Sequence, residues 1–449
     1  MLQKLIIQNY KGFQSKTIIE FSLPCGKYGS GLNIIVGSNN SGKSTIFDAI
    51  GKFGRFNSII NDEEVQKSTR NNFLLELTDC DGIKHTLKAI DGGGIIDNTD
   101  SNWFFEDRAY KIGTNKLWSD TGSVGKTNIF DYQIHKYTLD SQFVMVLQSL
   151  EGKLEKTKFV NLIKRVVPNF SGYSVNFSNN QAYVEYTTGN NIGHKAGTLG
   201  EGVIGIFKLL LPLINLQNRV LVIDEPELSL HPQAQKELVK IYSEYSANSQ
   251  IIIITHSPNF IDWKSIKNGG QVIRVSKPYD TDCKANWFTA KSKKEIVRIA
   301  GNKNRPFVLD NIGKELFFAE NIVLCEGQTD PVRYHDFVSS EFDNINFEFL
   351  GYGCGSDADM LKFIPILKEI NLNVACIFDK PIKKDGNLNT EVQANINKAK
   401  SELPNGVFVS PTNEVQYLFQ ENNYGVKEEY KNELIKIFGS IINYFVNTK

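Results

Sequence analysis

The chain has 449 residues, of which 41% are apolar and 22% charged, a balance that supports buried cores and excludes a disordered or collagen-like chain. Fifty basic residues meet fifty acidic ones, so no net field draws the chain to nucleic acid; such binding has to come from a local patch or a metal. The N-terminus lacks a signal-peptide core, no apolar run has membrane-spanning length, and the six cysteines form no C-x-x-C pair; a reduced, cytoplasmic protein with no membrane contact is expected.

In chain order, residues 3–8 and 17–23 read as short strands around Tyr10-Lys-Gly-Phe13. Leu32–Val36 reads as a buried strand. Gly37-Ser-Asn-Asn-Ser-Gly-Lys43-Ser44-Thr45 follows it, and a helix starts at Ile46. Strand, G-x-x-x-x-G-K-S and helix together make a phosphate-cradling loop. Backbone N–H groups across Ser38, Asn39, Asn40, Ser41, Gly42 and Thr45 and the helix N-terminus form the anion nest. Lys43 supplies a point charge for the β- and γ-phosphates of a nucleotide, and Ser44 can ligate Mg²⁺. Residues 73–77 and 85–90 flank an Asp79-Cys-Asp-Gly82 turn and read as a hairpin. Residues 91–130 carry little periodicity and read as loops. The stretch 140–166 turns helical, and residues 173–177 and 182–186 form a second hairpin.

A second cluster begins at Thr198-Leu-Gly-Glu-Gly202, a glycine-rich helix start and hence another anion site. Arg219-Val-Leu-Val-Ile-Asp224-Glu225-Pro-Glu227 is an apolar strand ending in carboxylates. Asp224 is placed to hold Mg²⁺ through water, and Glu225 to polarise the water that attacks the γ-phosphate. Ser229-Leu-His231 is a turn, and the stripe Leu238, Ile241, Tyr242 and Tyr245 after it is core packing. Gln250–Ile254 is a buried strand, and His256 at its end is within reach of a γ-phosphate.

These motifs, in this order, resemble the ATPase heads of the ABC class, closest to the chromosome-maintenance and recombination-repair type. The resemblance covers about residues 1–280. It implies a homodimer in which two heads sandwich ATP, the segment with Gly200 and Gly202 of one capping the nucleotide on the loop of the other. The usual Ser-Gly-Gly signature reads Gly200-Glu201-Gly202 here. Gln133 and Gln142 are the candidates for the glutamine that the family carries between its first two motifs. No heptad run provides coiled-coil arms.

After a polar connector near 264–315, strand and helix alternate again, which predicts a small parallel sheet. Asn321–Cys325 delivers Glu326-Gly-Gln-Thr-Asp330; Ile345–Leu350 leads into a glycine turn; Val374–Phe378 ends at Asp379; Val407–Ser410 precedes Glu414. Ligands of open α/β sheets gather at the carboxyl ends of strands, so Glu326, Asp330, Asp379 and Glu414 are placed to converge on Mg²⁺ or Mn²⁺. Lys380, Lys383 and Lys384 form a basic patch beside Asp379, readable either as a phosphate contact or as a solvated loop.

Leu324-Cys-Glu326-Gly-x-Thr-Asp330, a glycine turn and a strand ending in Asp379 resemble a Toprim domain. An ABC-type head followed by a Toprim domain resembles the OLD-family (overcoming lysogenisation defect) nucleases. That family implies ATP-controlled, metal-dependent DNA cleavage, often in defence against phage, with Glu326, Asp330, Asp379 and Glu414 as metal ligands or general base. Its Asp-x-Asp reads Asp379-Lys380-Pro381 here, and proline is no ligand. Asp385 is a nearby substitute, whereas Asp357-Ala-Asp359 sits where helix-capping carboxylates are ordinary.

The expected architecture is α/β: an ABC-type head over residues 1–300, with a mixed sheet and a helical lobe inserted at about 138–195, then a Toprim-like domain over 316–449. The expected function is an ATP-hydrolysing, metal-dependent DNA endonuclease in which Glu225, His256 and Glu326 are catalytic. Higher oligomers and a co-encoded protein or RNA partner stay open. The alternative is a sensor or scaffold ATPase that holds a separate effector beside a degenerate Toprim domain.

Overall fold

The computed structural model describes residues 1–53, 65, 72–89, 95–97, 109–113, 133–135, 141–178, 181–189, 193–195, 201–277, 282–300, 313–420 and 425–448. They separate into two compact units, one of residues 1–36, 40–272 and 282–285 and one of residues 37–39, 273–281 and 286–449.

Five parallel strands of the first unit lie in the order Gln133–His135, Ala109–Gly113, Val220–Asp224, Gln250–Ile254 and Leu32–Val36. The last three are buried at every position, and their unbroken Val/Ile/Leu runs suit a parallel sheet covered on both faces. Ile254 aligns with Asp224 on one side and with Ile35 on the other. The phosphate-loop strand and the Asp-Glu strand therefore end level, one strand apart.

An antiparallel sheet accompanies it, in the order Thr17–Glu20, Leu2–Gln8, Leu74–Asp79, Lys84–Ala89 and Ile95–Asp97. Beyond it come helices Ser141–Ser149 and Leu154–Val166 and the hairpin Phe170–Ser178 with Gln181–Thr188. Phe159, Phe170 and Tyr173 meet Phe207 of helix Glu201–Leu210 in edge-type ring contacts of 5.5–5.8 Å, which tie these helices and strands into one core.

The second unit carries four parallel strands in the order Glu348–Phe349, Asn321–Cys325, Asn373–Phe378 and Val407–Val409. In chain order this is 2-1-3-4, so connections depart to opposite sides between the first and third strands. That is where ligand crevices open in such sheets. The C-terminal helix Glu428–Asn447 buries Leu434, Phe438, Ile441 and Phe445 in a core that includes Phe337 and Phe347. Among the described residues no helix is long and apolar enough to cross a membrane.

Two expectations need correction, and one gains detail. The loop reading of 91–130 misses Ile95–Asp97 and Ala109–Gly113, strands too short for a periodic signal. The helical stretch 140–166 consists of two helices, separated by a turn at Leu150–Lys153, where Gly152 takes φ 74°. The polar connector at 264–315 holds helix Trp263–Lys267, the fully buried strand Gln271–Ser276, strand Lys284–Trp287 and helix Ala290–Ala300. The buried strand looked polar because its hydrophilic side chains satisfy backbone carbonyls. Gln271 donates to the Glu20 carbonyl at 2.9 Å. Arg274, 1% exposed, donates to the Ala319, Ile370 and Asn371 carbonyls at 2.5–3.1 Å.

Candidate functional site

The phosphate loop bends through three left-handed residues: Gly37 (φ 148°), Asn40 (φ 60°) and Gly42 (φ 101°). At Gly42 a side chain is excluded twice, because a Cβ there would lie 2.7 Å from Cys283 Sγ and 3.2 Å from the Phe13 ring. Gly42 is the N-cap of helix Lys43–Gly51. Ser38 is half-buried and Ser41 buried, while Asn39, Asn40 and Ser44 are exposed. The Thr45 N–H is turned inward to the Gly42 carbonyl at 3.1 Å.

Lys43 is 4% exposed, and its Nζ lies 3.4 Å from Ser41 Oγ. Burial lowers the ammonium to about 8, opposed by the charges of Glu225, Asp224 and Glu227. The Tyr10–Phe13 turn braces the same helix. Lys11 Nζ sits 2.5 Å from Asp48 Oδ2, and the Tyr10 hydroxyl donates to that oxygen. Burial alone would raise the Asp48 carboxyl, but these two bonds outweigh it and hold it below its ordinary value.

Asp224 is 3% exposed at the end of its strand. Glu225 follows with φ 49°, a conformation rare outside glycine, and its N–H donates to the Ile254 carbonyl at 2.8 Å. The turn directs its carboxylate to His256, with Nε2 and Oε1 3.8 Å apart. Burial, then the charge of Lys43, lowers His256, and Glu225 only partly offsets this; the ring is neutral at pH 7 and keeps one N–H donor.

Glu227 is a residue that sequence reasoning did not single out for a role. Its carboxylate accepts from the Thr255 hydroxyl and from the His256 N–H, each at 2.7 Å, and so fixes the strand end that carries the histidine. Burial raises Glu227 above the ordinary carboxylate range. Gln235 adds a second tie. It accepts from Ser257 Oγ at 2.7 Å and Asn259 Nδ2 at 3.0 Å while donating to the Leu230 carbonyl at 2.9 Å. A glutamate two residues past the Asp-Glu pair was the only available signal, and its partners become visible only in three dimensions. His231 caps helix Pro232–Tyr245 through Nδ1, which accepts from the Gln233 N–H at 3.2 Å.

Gly202 abuts this region, since a Cβ on it would lie 2.9 Å from the Ser229 carbonyl oxygen. Gly200 and the side chains of Gln133 and Gln142 lie outside the described residues.

In the second unit the strand register sets Cys325 against Ile377, so Glu326 and Asp379 leave adjacent strand ends at the crevice. Asp330, 6% exposed at the start of helix Asp330–Glu341, accepts from the Gly327 N–H at 2.7 Å. Burial raises its carboxyl, opposed by that bond and by Arg333. Asp379 is pushed up to about 8, by burial first and then by the charges of Asp330, Glu326, Glu414 and Asp357. The four predicted acids thus share one electrostatic neighbourhood, and Asp357 joins it. Among the described residues no three of these groups form a closed metal-ligand set.

Asp385 does not join them: it sits on an exposed hairpin, bonded to the Asn387 N–H and side-chain amide at 3.0 Å each. Ser356 caps helix Asp357–Glu369, accepting from the Asp359 N–H at 3.1 Å, and the first-turn carboxylate of Asp359 pairs with Ser356 Oγ and Lys362. Asp357 accepts from Asn395 Nδ2 at 2.9 Å.

The family model described as "Overcoming lysogenization defect protein-like, TOPRIM domain" matches residues 317–380. The second unit carries an OLD-like Toprim domain. The model described as "AAA ATPase domain" matches residues 1–128, and that described as "AAA domain, putative AbiEii toxin, Type IV TA system" matches residues 78–262. An ATPase domain therefore precedes the Toprim domain. The OLD nuclease of Thermus scotoductus is 26% identical over 184 residues, 40% of this chain and 34% of that one. The Old nuclease of Escherichia phage P2 is 30% identical over 114 residues, 25% of this chain and 19% of that one. The chain thus spans about a third or less of these relatives' length. Among solved structures, the SMC head domain from Thermotoga maritima aligns with 64% of this chain and 99% of its own at a TM-score of 0.40 and 18% identity.

Proposed function

We propose that the chain is an ATP-hydrolysing protein whose nucleotide state controls a metal-dependent DNA endonuclease. The ATPase domain extends to about residue 300 and the Toprim domain from about 316. Lys43 and the loop N–H groups bind the phosphates of ATP, and Ser44 and Asp224 hold its Mg²⁺. Glu225 orients and polarises the attacking water, and neutral His256 donates a hydrogen bond to the γ-phosphate. Glu227 is a positioning residue, acting through His256. Gly200 and Gly202 belong to the surface that caps the nucleotide on a second copy.

Nuclease chemistry is assigned to Glu326, Asp330, Asp379 and Glu414, with Asp357 in support. The observation that supports it is that Glu326 and Asp379 leave adjacent strand ends at the switch point of the parallel sheet, and that the charges of Asp330, Glu326, Glu414 and Asp357 raise Asp379. An all-oxygen donor set fits Mg²⁺ or Mn²⁺. Such ions supply Lewis-acid stabilisation of the phosphodiester oxygens when bound. Glu326 and Asp379 then present their oxygens from adjacent strand ends, and Asp330 is held ready by the Gly327 N–H. An anti-phage role follows from the resemblance to OLD nucleases and is tested by phage plating on cells expressing the chain.

One observation favours the second reading, a scaffold ATPase with an inert Toprim domain. Pro381 replaces a ligand, and Glu414 is paired instead with Lys384 at 3.2 Å. Nicking of supercoiled plasmid with Mg²⁺ or Mn²⁺ separates the two. Under the nuclease reading Glu326→Ala abolishes cutting and keeps ATP hydrolysis, whereas Glu225→Gln slows hydrolysis and keeps the cutting chemistry. Intact hydrolysis without cutting under either metal would establish the scaffold.

A further inference from the structure

Pro381 does more than remove a ligand. It opens a hairpin closed by the Ile382–Leu388 bridge, with Asn389 N–H donating to the Pro381 carbonyl at 2.9 Å and Lys383 N–H to the Asn387 carbonyl at 2.8 Å. The Lys380 N–H donates to the Thr412 carbonyl at 2.9 Å, joining the hairpin base to the segment that leads to Glu414. Between them lies an open cleft of about 530 Å³, lined by Lys380, Ile382, Lys383, Lys384, Thr412 and Tyr417, among others. That volume lies in the range of small-ligand sites.

The lining contains three lysines and no carboxylate, although Asp379 adjoins Lys380 and Glu414 adjoins Asn413 in sequence. Tyr417 leaves 41% of its surface exposed in this cleft. The Lys384 ammonium, 78% exposed, reaches Glu414 at 3.2 Å. Lys384 and Tyr417 both line the cleft. Cations spaced around an exposed aromatic face are what a single nucleic-acid strand requires: charges for its phosphates and a platform for a base. A duplex offers the phosphates but keeps its base faces stacked.

We propose that this cleft holds one nucleotide of an unpaired nucleic-acid strand, with Tyr417 stacked on its base and Lys380, Lys383 and Lys384 on its phosphates, next to Asp379 and Glu414. Its role in presenting substrate rests on the nuclease reading above; its binding does not. The cleft then selects strands that are single, frayed or opened over intact duplex.

The test is fluorescence anisotropy in EDTA, with fluorescein-labelled oligo(dT) of 20 nucleotides and the same strand paired to oligo(dA). The full-length protein binds the single strand more tightly than the duplex. Tyr417→Ala weakens strand binding about ten-fold and leaves duplex binding within about two-fold, and Tyr417→Phe keeps the strand preference. Combined Lys380→Gln, Lys383→Gln and Lys384→Gln weakens both and flattens the salt dependence by about two in log–log slope. Equal affinity for strand and duplex in the wild type, or wild-type strand affinity in Tyr417→Ala, overturns the proposal. Should Tyr417→Ala melt early, Tyr417→Leu, which keeps bulk without a ring, replaces it with the same two readings. Tyr417-dependent strand binding in a protein that never cuts with Mn²⁺ supports the cleft and sinks the nuclease.

Discussion

The two acidic centres of this chain solve the same electrostatic problem in opposite ways. Asp224, Glu225 and Glu227 cluster at a strand end, as do Glu326, Asp330 and Asp379. In the ATPase domain the chain supplies its own cation, the buried Lys43, whose charge those three carboxylates help to retain. In the Toprim domain burial and the carboxylates of Asp330, Glu326, Glu414 and Asp357 act on Asp379 and drive it up to about 8. Its cations are peripheral: Arg333 acts on Asp330, and the exposed Lys384 pairs with Glu414. A centre with a resident cation is ready for a ligand that brings anionic phosphates. A centre short of positive charge is ready for a ligand that brings a cation.

The comparison can be broken from either side. The largest effect is expected at Lys43. Lys43→Ala leaves the loop N–H groups but removes the charge-assisted contacts to phosphate, and ATP affinity should fall about 100-fold by calorimetry. Undiminished binding would mean that the nest alone carries the nucleotide.

Asp379→Asn should abolish cutting and yet stabilise the metal-free protein. A folded-state value near 8, above the ordinary carboxylate range, contributes stability that is present at low pH and lost as pH rises through 8. Wild-type protein in EDTA should therefore weaken between about pH 4 and 8, and the variant should gain about 2 kcal/mol at pH 9 after allowance for solvent screening. Denaturant melts at pH 5 and 9 check the sign; a loss at pH 9 contradicts it.

Glu227→Ala strands two donors, the Thr255 hydroxyl and the His256 N–H, at a cost of about 1–3 kcal/mol. ATP turnover should drop about ten-fold with KM nearly unchanged, because the histidine is misplaced while the loop is intact. The smallest effect belongs to Lys384→Gln, which should lower the Mn²⁺ concentration for half-maximal cutting about two-fold by freeing Glu414 from an exposed partner.

Much of this was legible in the sequence because buried parallel strands are written as unbroken apolar runs. Leu32–Val36, Val220–Asp224, Gln250–Ile254 and Asn321–Cys325 fall where those runs stand, and the polar residues after them are the ones the sheets bring together. Residues 273–276 were hidden because Arg274 spends a buried charge on three carbonyls, which composition cannot distinguish from solvation. Glu227 was hidden because its partners lie 28 and 29 residues away on another strand. Asp385 misled because nearness in sequence to Asp379 stood in for nearness in space, and the hairpin that Pro381 opens carries it outward.

Mn²⁺ titration of the nucleotide-free protein, followed by calorimetry, tests the central claim most directly. The electrostatic difference between the two centres predicts saturable binding to wild-type protein that disappears in Glu326→Ala, Asp379→Asn together and survives Lys43→Ala. Binding that persists in the double variant, or none in the wild type, would contradict it.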